Sequence, residues 1–302
     1  MTVILGFIIF LTLVANYANY AALFSPFVQI VDIRKYWVNK LNLRTGWLSM
    51  AIASPYNIFI TGCGRSGTSM VAGLFRNSGR YFGDSFHEVR DNNPLGIFET
   101  EEVNGLNERI LSRYTPTPQN IRGVPFACDS PGPWQRWLAR IPPDIPIEAD
   151  ASEQQQIKAL VDKQPICFKD PRFCYTLHEW LRYCPEAKVI CVFRNPSVVV
   201  SSILKECRQA DYLHDFGISV NQAFELWCLL YLRVLDEQRH SGDWLFIEYE
   251  QVFDELIQNK IEAFTGDTVD RNFPTRRLTR SIQEHSIPKL AQEIYDELMA
   301  LA

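Results

Sequence analysis

The sequence lacks an excess of positive charge: 30 lysines and arginines stand against 35 aspartates and glutamates, a net charge of −5. A nucleic-acid-binding chain needs a basic face or stripe, so no nucleic-acid partner is expected, and only a local basic pocket for a small anion remains open. It lacks metal-ligand spacing too, because the eight cysteines, at 63, 128, 167, 174, 184, 191, 207 and 228, match no zinc pattern and no metal site is expected. Cys167, Cys191 and Cys228 lie inside apolar runs, where cysteine behaves as a small buried hydrophobe. The set therefore reads as reduced core thiols, with a few disulfides as the alternative. Cys63, in a loop, is open to a reactive-thiol reading. No internal repeat is present, which removes solenoids and propellers.

Charge is absent altogether from residues 2–24, TVILGFIIFLTLVANYANYAALF. The length suits a membrane-spanning helix, although Asn16, Tyr17, Asn19 and Tyr20 soften its second half. No lysine or arginine precedes the run, which counts against a secretory signal peptide. Arg34, Lys35, Lys40 and Arg44 follow it, and the positive-inside rule then puts the C-terminal bulk in the cytoplasm. A helix lying on the membrane surface and a helix buried in the protein are the other readings. Residues 25–55, with Tyr36, Trp37 and Trp47 among basic side chains, suit a membrane-interface connector. Two regions are expected: residues 1–55 as anchor and connector, and 56–302 as the folded domain. The 47% hydrophobic and 22% charged content marks that domain as globular.

The domain is organised around YNIFITGCGRSGTSMVAGLFRNSG, Tyr56 to Gly79. Asn57 to Thr61 has strand length and composition. Gly62, Gly64 and Gly67 break it, and from Thr68 the apolar Met70, Val71, Leu74 and Phe75 fall at helical spacing. A strand, a glycine-rich turn and a helix start make a phosphate cradle of backbone N–H groups and helix dipole. Arg65 adds positive charge, and Ser66, Thr68 and Ser69 add hydroxyls. The nucleoside-triphosphate version of this loop, G-x-x-x-x-G-K-[ST], needs a lysine where Thr68 stands. Its loss argues against ATP or GTP hydrolysis.

Downstream, strands alternate with helices. Short apolar strands are expected at Pro165–Lys169, Ala187–Phe193 and Trp244–Glu248. Helices are expected at Glu99–Leu111, Ala151–Lys163, Tyr175–Tyr183, Pro196–Ala210 and Ser219–His240, and again from Tyr249 onward. This order implies an α/β fold: a P-loop-type parallel sheet flanked by helices, with a nucleotide site at the strands' C-terminal edge and a hydrophobic helix N-terminal to it. Residues 114–150 carry eight prolines and read as a long insertion, a lid or substrate-binding segment. Within it PWQRWLARI has the pattern of one short amphipathic helix. Its Trp134 and Trp137 are packing anchors or acceptor contacts.

The loop G-x-x-R-S-G-T-[ST] resembles the 5′-phosphosulfate loop of sulfotransferases, which use 3′-phosphoadenosine 5′-phosphosulfate (PAPS). The phrase NPLGIFE resembles the N-P-x-G-[FY]-[FW]-E of the same broad group, and WLFIEYEQVF its late strand-plus-YE segment. VICVFRNPSVVVSSIL supplies a strand ending in Arg194 and, eight residues on, Ser202. In that family the corresponding pair holds the 3′-phosphate of PAPS, and a guanidinium and a helix hydroxyl can converge on one phosphate. The resemblance runs from about Asn57 to Phe253. It implies a PAPS-dependent sulfotransferase that moves a sulfuryl group to a hydroxyl or amine and releases adenosine 3′,5′-bisphosphate. The acceptor would be a small molecule, a glycan or a lipid. By position, Gly64, Arg65, Ser66, Gly67, Thr68 and Ser69 would cradle the 5′-phosphosulfate, Arg194 and Ser202 would take the 3′-phosphate, and Arg65 would meet the charge on the bridging oxygen.

The catalytic base is less determined. The K-T-H phrase of cytosolic members reads Lys169, Asp170, Pro171 here, so Lys169 matches and the histidine is missing. Members lacking that histidine often carry an acidic base after the loop helix, which implies Glu99 or Glu88, with His87 behind them. Burial beside Ile97 and Phe98 is expected to raise the pKa of Glu99 toward working pH. A catalytic domain in the cytoplasm of a membrane-associated protein follows from residues 2–24, with the soluble cytoplasm or the Golgi lumen as alternatives. Two further functions stay open: a P-loop small-molecule kinase, and a nucleotide-binding membrane-associated protein without turnover.

Overall fold

The alternation of apolar side chains along β1 (Ile58–Thr61) already sets the architecture, because a strand sends successive residues to opposite faces. Ile58 and Ile60 join one buried cluster, and Phe59 joins another. The computed structural model describes residues 56–87, 96–115, 120–121, 124–125, 130–275 and 284–302. The hydrophobic run 2–24, the connector up to residue 55, Glu88 and Cys128 lie outside these, so the expectations placed on them stand as expectations. Among the described residues no helix is long and apolar enough to cross a membrane.

After β1 come α1 (Thr68–Gly73), α2 (Glu101–Ser112), the two-residue strands β2 (Asn120–Ile121) and β3 (Val124–Pro125), and α3 (Ala151–Val161). Then follow β4 (Cys167–Lys169), α4 (Phe173–Leu181), β5 (Lys188–Phe193) and α5 (Pro196–Gln209). The chain continues through α6 (Val220–Asp236), β6 (Asp243–Glu248) and α7 (Glu255–Thr265) to α8 (Lys289–Leu301). The main sheet has the order β4-β1-β5-β6, and its three pairings are parallel, in register Ile58↔Cys167, Ile58↔Lys188 and Lys188↔Asp243.

One face carries Phe59, Phe168, Cys191, Phe193 and Phe246 against α2 to α6 and α8. The other carries Ile58, Ile60, Ile190, Val192, Leu245 and Ile247 against α1 and α7. The expected α/β fold, a parallel sheet with helices on both faces, is what forms. The chain leaves β1 toward one edge of the sheet and leaves β5 toward the other. The crevice between the C-terminal ends of β1 and β5 is thus the switch point where such sheets bind ligands.

Several helix ends follow local chemistry. Asp150 and Ser219 form capping boxes with Glu153 and Gln222. Asn195 accepts from the Ser197 and Val198 amides, with Pro196 in the first turn of α5. Two expectations change. The helix expected from Glu99 begins at Glu101 behind Thr100, so Glu99 stands before the cap and not in the first turn. In PWQRWLARI only Arg136–Leu138 is helical, as a single 3₁₀ turn. Trp134 at φ 66° before the turn and the extended Ala139 after it stop the backbone from continuing as an α-helix.

Candidate functional site

The turn after β1 holds Arg65 at φ 73° and Gly67 at φ 94°, two left-handed residues that point successive amides the same way. Ser66 donates its amide back to the Cys63 carbonyl at 3.1 Å. Among the described residues, the amides of Gly64, Arg65, Gly67, Thr68 and Ser69 have no protein acceptor. Five open donors at the start of a helix make an anion site of backbone alone. Its glycines are also forced by packing. A Cβ on Gly64 would lie 2.4 Å from Trp137, and one on Gly67 2.1 Å from Tyr249.

Arg65 and Ser202, from separate motifs, meet directly: Arg65 Nε donates to Ser202 Oγ at 3.1 Å. Glu206, one turn beyond Ser202 on α5, sits 3.5 Å from Arg65 Nη1. Arg194 follows β5 as expected, but its partners are Glu250 Oε1 at 3.4 Å and the ring of Tyr249, 4.3 Å from the guanidinium. Tyr249 therefore touches both halves of the site, under Gly67 and under Arg194.

Two hydroxyls face elsewhere. Ser69 Oγ donates to the Ile97 carbonyl at 3.2 Å, pinning the segment that leads to Glu99. Ser66 is fully buried, and its Oγ is 3.1 Å from the Tyr231 hydroxyl. That hydroxyl accepts from the Cys63 amide at 3.1 Å and must donate to the Val192 carbonyl at 2.9 Å. The Ser66 hydroxyl thus has its contact inside the protein, at Tyr231, and a role for it toward a phosphate stays an expectation. Burial, with nearby thiols, pushes the Tyr231 hydroxyl well up, so it stays protonated. Thr68 is buried at the first position of α1.

Cys63 is wholly buried, and burial pushes its thiol well up, so the exposed, reactive reading is overturned. The cysteines in the described residues are free thiols, all buried but the half-buried Cys207, as a reduced core predicts.

At the end of β4 lies a buried charge cluster. Lys169 Nζ pairs with Glu99 Oε1, while Asn104 Nδ2 donates to Glu99 Oε2. Arg172 stands 3.9 Å from Glu99, and donates to Glu108 at 2.7 Å and to Asp170 at 3.0 Å. Arg136 closes the set on Glu108 at 2.8 Å, giving three carboxylates against three cations. Burial works to raise the Glu99 carboxyl, but the charges of Lys169 and Arg172 and their hydrogen bonds outweigh it and hold it below the usual range. The expected upward shift is therefore reversed: the apolar neighbours bury Glu99, and two buried cations decide its ionisation. Asp170 moves the other way, raised by burial first and by the Glu99 charge.

Sequence reasoning missed Tyr231, Tyr249 and Glu206. Each lies on a helix or turn remote in sequence from the loop it serves. Only the "YE" phrase contained a signal, and it pointed to a segment rather than a contact. Among the described residues no group of side chains is arranged to hold a metal ion.

No curated relative matches the sequence. Among solved structures, the sulfotransferase domain from the curacin biosynthetic pathway is similar at 13% identity, over 81% of this chain and 98% of that one, with a TM-score of 0.43. Sulfotransferase STF1 from Mycobacterium tuberculosis H37Rv is similar at 12% identity over 85% and 81% of the two chains, TM-score 0.41. A sulfotransferase from Alicyclobacillus acidocaldarius follows at 13% over 81% and 90%, TM-score 0.39. The profile of the sulfotransferase family matches residues 55–263, from just before β1 into α7 and across both halves of the cradle. That match covers well over half of the chain, and on it the chain belongs to the sulfotransferase family.

Proposed function

We propose that the protein transfers a sulfuryl group from PAPS to the hydroxyl of an acceptor. The observation that carries this reading is the convergence of five open amides at Gly64–Ser69 with Arg65, which is held against Ser202. The donor set is anionic-ligand chemistry throughout: backbone N–H groups, two guanidiniums and one serine hydroxyl, with no lysine in the loop.

The roles follow from position. The amides of Gly64, Arg65, Gly67, Thr68 and Ser69 would hold the 5′-phosphosulfate. Arg65 would stabilise the charge that grows on the bridging oxygen as the sulfuryl group departs, by fixed electrostatics and in-line positioning. Arg194 and Ser202 would grip the 3′-phosphate. Lys169, at the end of the strand beside β1, would face the sulfuryl oxygens, with Glu99 fixing its ammonium. An ionised Glu99 is free to accept the acceptor's proton, but its depressed pKa makes it a weak base. Glu88 remains the second acidic candidate.

The test is transfer of label from ³⁵S-PAPS to phenolic, glycan and lipid alcohols, beside a parallel series with γ-labelled ATP. Transfer from PAPS supports the assignment. Transfer from ATP alone makes the protein a kinase, and binding of adenosine 3′,5′-bisphosphate without any turnover makes it a nucleotide-binding protein.

A further inference from the structure

Trp134 and Trp137 share one turn of the Pro-rich insertion and are used differently. Trp137 is buried against Gly64 of the cradle. Trp134 is 48% exposed, yet its backbone is held at φ 66°, a conformation costly for a bulky residue. Such strain persists only where surroundings enforce it, and they do. Its amide donates to Glu108 at 2.9 Å, and its carbonyl accepts from Arg172 at 3.4 Å. Both partners are buried members of the charge cluster at the end of β4. The indole lies across Gly105 of α2, where a Cβ would come within 3.5 Å. His87 meets it edge-on at 5.9 Å, and Phe86 beside it is 54% exposed.

The three non-glycine residues with positive φ among those described are Arg65, Phe98 and Trp134: one in the cradle, one next to Glu99, one on this rim. Strain gathered in this way marks a ligand-facing surface.

We infer that this rim is the acceptor site, and that the acceptor is a flat, apolar ring bearing a hydroxyl, a phenol, stacked on Trp134. This rests on the sulfotransferase reading. The two carboxylates behind Trp134, those of Glu108 and Asp170, are already committed. Glu108 accepts from Trp134, twice from Arg136 and from Arg172. Asp170 accepts twice from Arg172 and once from Asn107. They offer little to a sugar with many hydroxyls, each needing a partner once buried. An exposed indole and an exposed phenyl favour a planar apolar body. His87 Nε2 is buried with no hydrogen-bond partner, enough for a single hydroxyl. In transfer the acceptor oxygen forms a bond to sulfur, the sulfur–oxygen bond to the 5′-phosphate breaks with its electron pair left on the nucleotide, and the hydroxyl proton passes to a base at the rim.

The experiment measures ³⁵S transfer from PAPS to 2-naphthol, a methyl glucoside and dodecanol, for wild type, Trp134→Ala and Trp134→Phe. Adenosine 3′,5′-bisphosphate affinity is measured on each. Wild type should prefer 2-naphthol. Trp134→Ala should raise its KM about tenfold, with nucleotide affinity within about twofold, and Trp134→Phe should recover most of the loss. A preference for the glucoside or dodecanol, or a KM unmoved by Trp134→Ala, overturns the inference and leaves the sulfotransferase reading intact. Absence of any transfer from PAPS overturns both.

Discussion

A single oxygen, that of Tyr231, makes three contacts with two segments remote from it in sequence: the Cys63 amide and Ser66 of the cradle, and the Val192 carbonyl of β5. Tyr231→Phe keeps the ring packed on Trp227 and strands three buried polar groups. It should cost about 2–3 kcal/mol of stability, read by urea denaturation, and weaken adenosine 3′,5′-bisphosphate binding. A variant as stable as wild type would show that water or neighbours replace the hydroxyl. The two arginines should fail differently. Arg194→Ala should cost about 2–4 kcal/mol of nucleotide affinity, a charge-assisted contact to a phosphate. Arg65→Ala should lower kcat more than affinity, since it faces charge that builds during transfer. Equal losses of both parameters in both variants would refute that division. The sequence made the Arg194–Ser202 spacing legible but not Arg65's hold on Ser202, because that contact needs β1 and α5 brought together by the sheet.

Among elements, the cradle turn depends on what lies beneath it. Trp137 fills the space where Gly64 has no side chain. Gly64→Ala should therefore weaken nucleotide binding, and Trp137→Leu should restore part of it. A double-mutant cycle on adenosine 3′,5′-bisphosphate affinity should give a coupling of about 1–3 kcal/mol; additive effects would mean the turn shifts freely. Elements with strong periodicity or caps are legible in the sequence: β1, β5 and α5 with Asn195–Pro196 lie within a residue or two of expectation, and α6 starts where Ser219 caps it but ends at Asp236, four residues short, with a separate 3₁₀ turn at Gln238–His240. The Pro-rich insertion is not, because its turns are set by tertiary anchors such as Glu108 on Trp134. Nor is the ionisation of Glu99: its apolar neighbours are adjacent in sequence, and the cations that control it are 70 and more residues away.

For the whole molecule, that cluster sets a pH dependence. The folded-state pKa of Glu99 is depressed, so its stabilisation is present above the ordinary glutamate pKa of about 4.3 and is lost as pH falls through the folded value. Glu99→Gln should therefore cost about 3–5 kcal/mol near pH 7, the cost of breaking a buried pair. The gap from wild type should narrow steadily below about pH 4.3. Asp170, whose pKa burial raises, works in the opposite sense and returns some stability on acidification. Urea titrations at pH 7, 5 and 3.5 read both variant and wild type. A pH-independent gap would place the role of Glu99 in packing and not in charge.

The buried thiols turn the protein into its own clock. Burial pushes Cys174 and Cys184 up to about 12 and Cys228 to about 11, and raises Cys63 and Cys191 well above the ordinary thiol value. Only a thiolate reacts with iodoacetamide at an appreciable rate. Each sulfur is therefore stamped only when its own part of the core opens. Half-buried Cys207, on the helix of Ser202, should be stamped early, and Cys191, on the central β5, at the pace of global unfolding. Cys63 sits between them as a timer for the cradle alone: a bound nucleotide should slow its stamping and leave that of Cys207 nearly unchanged.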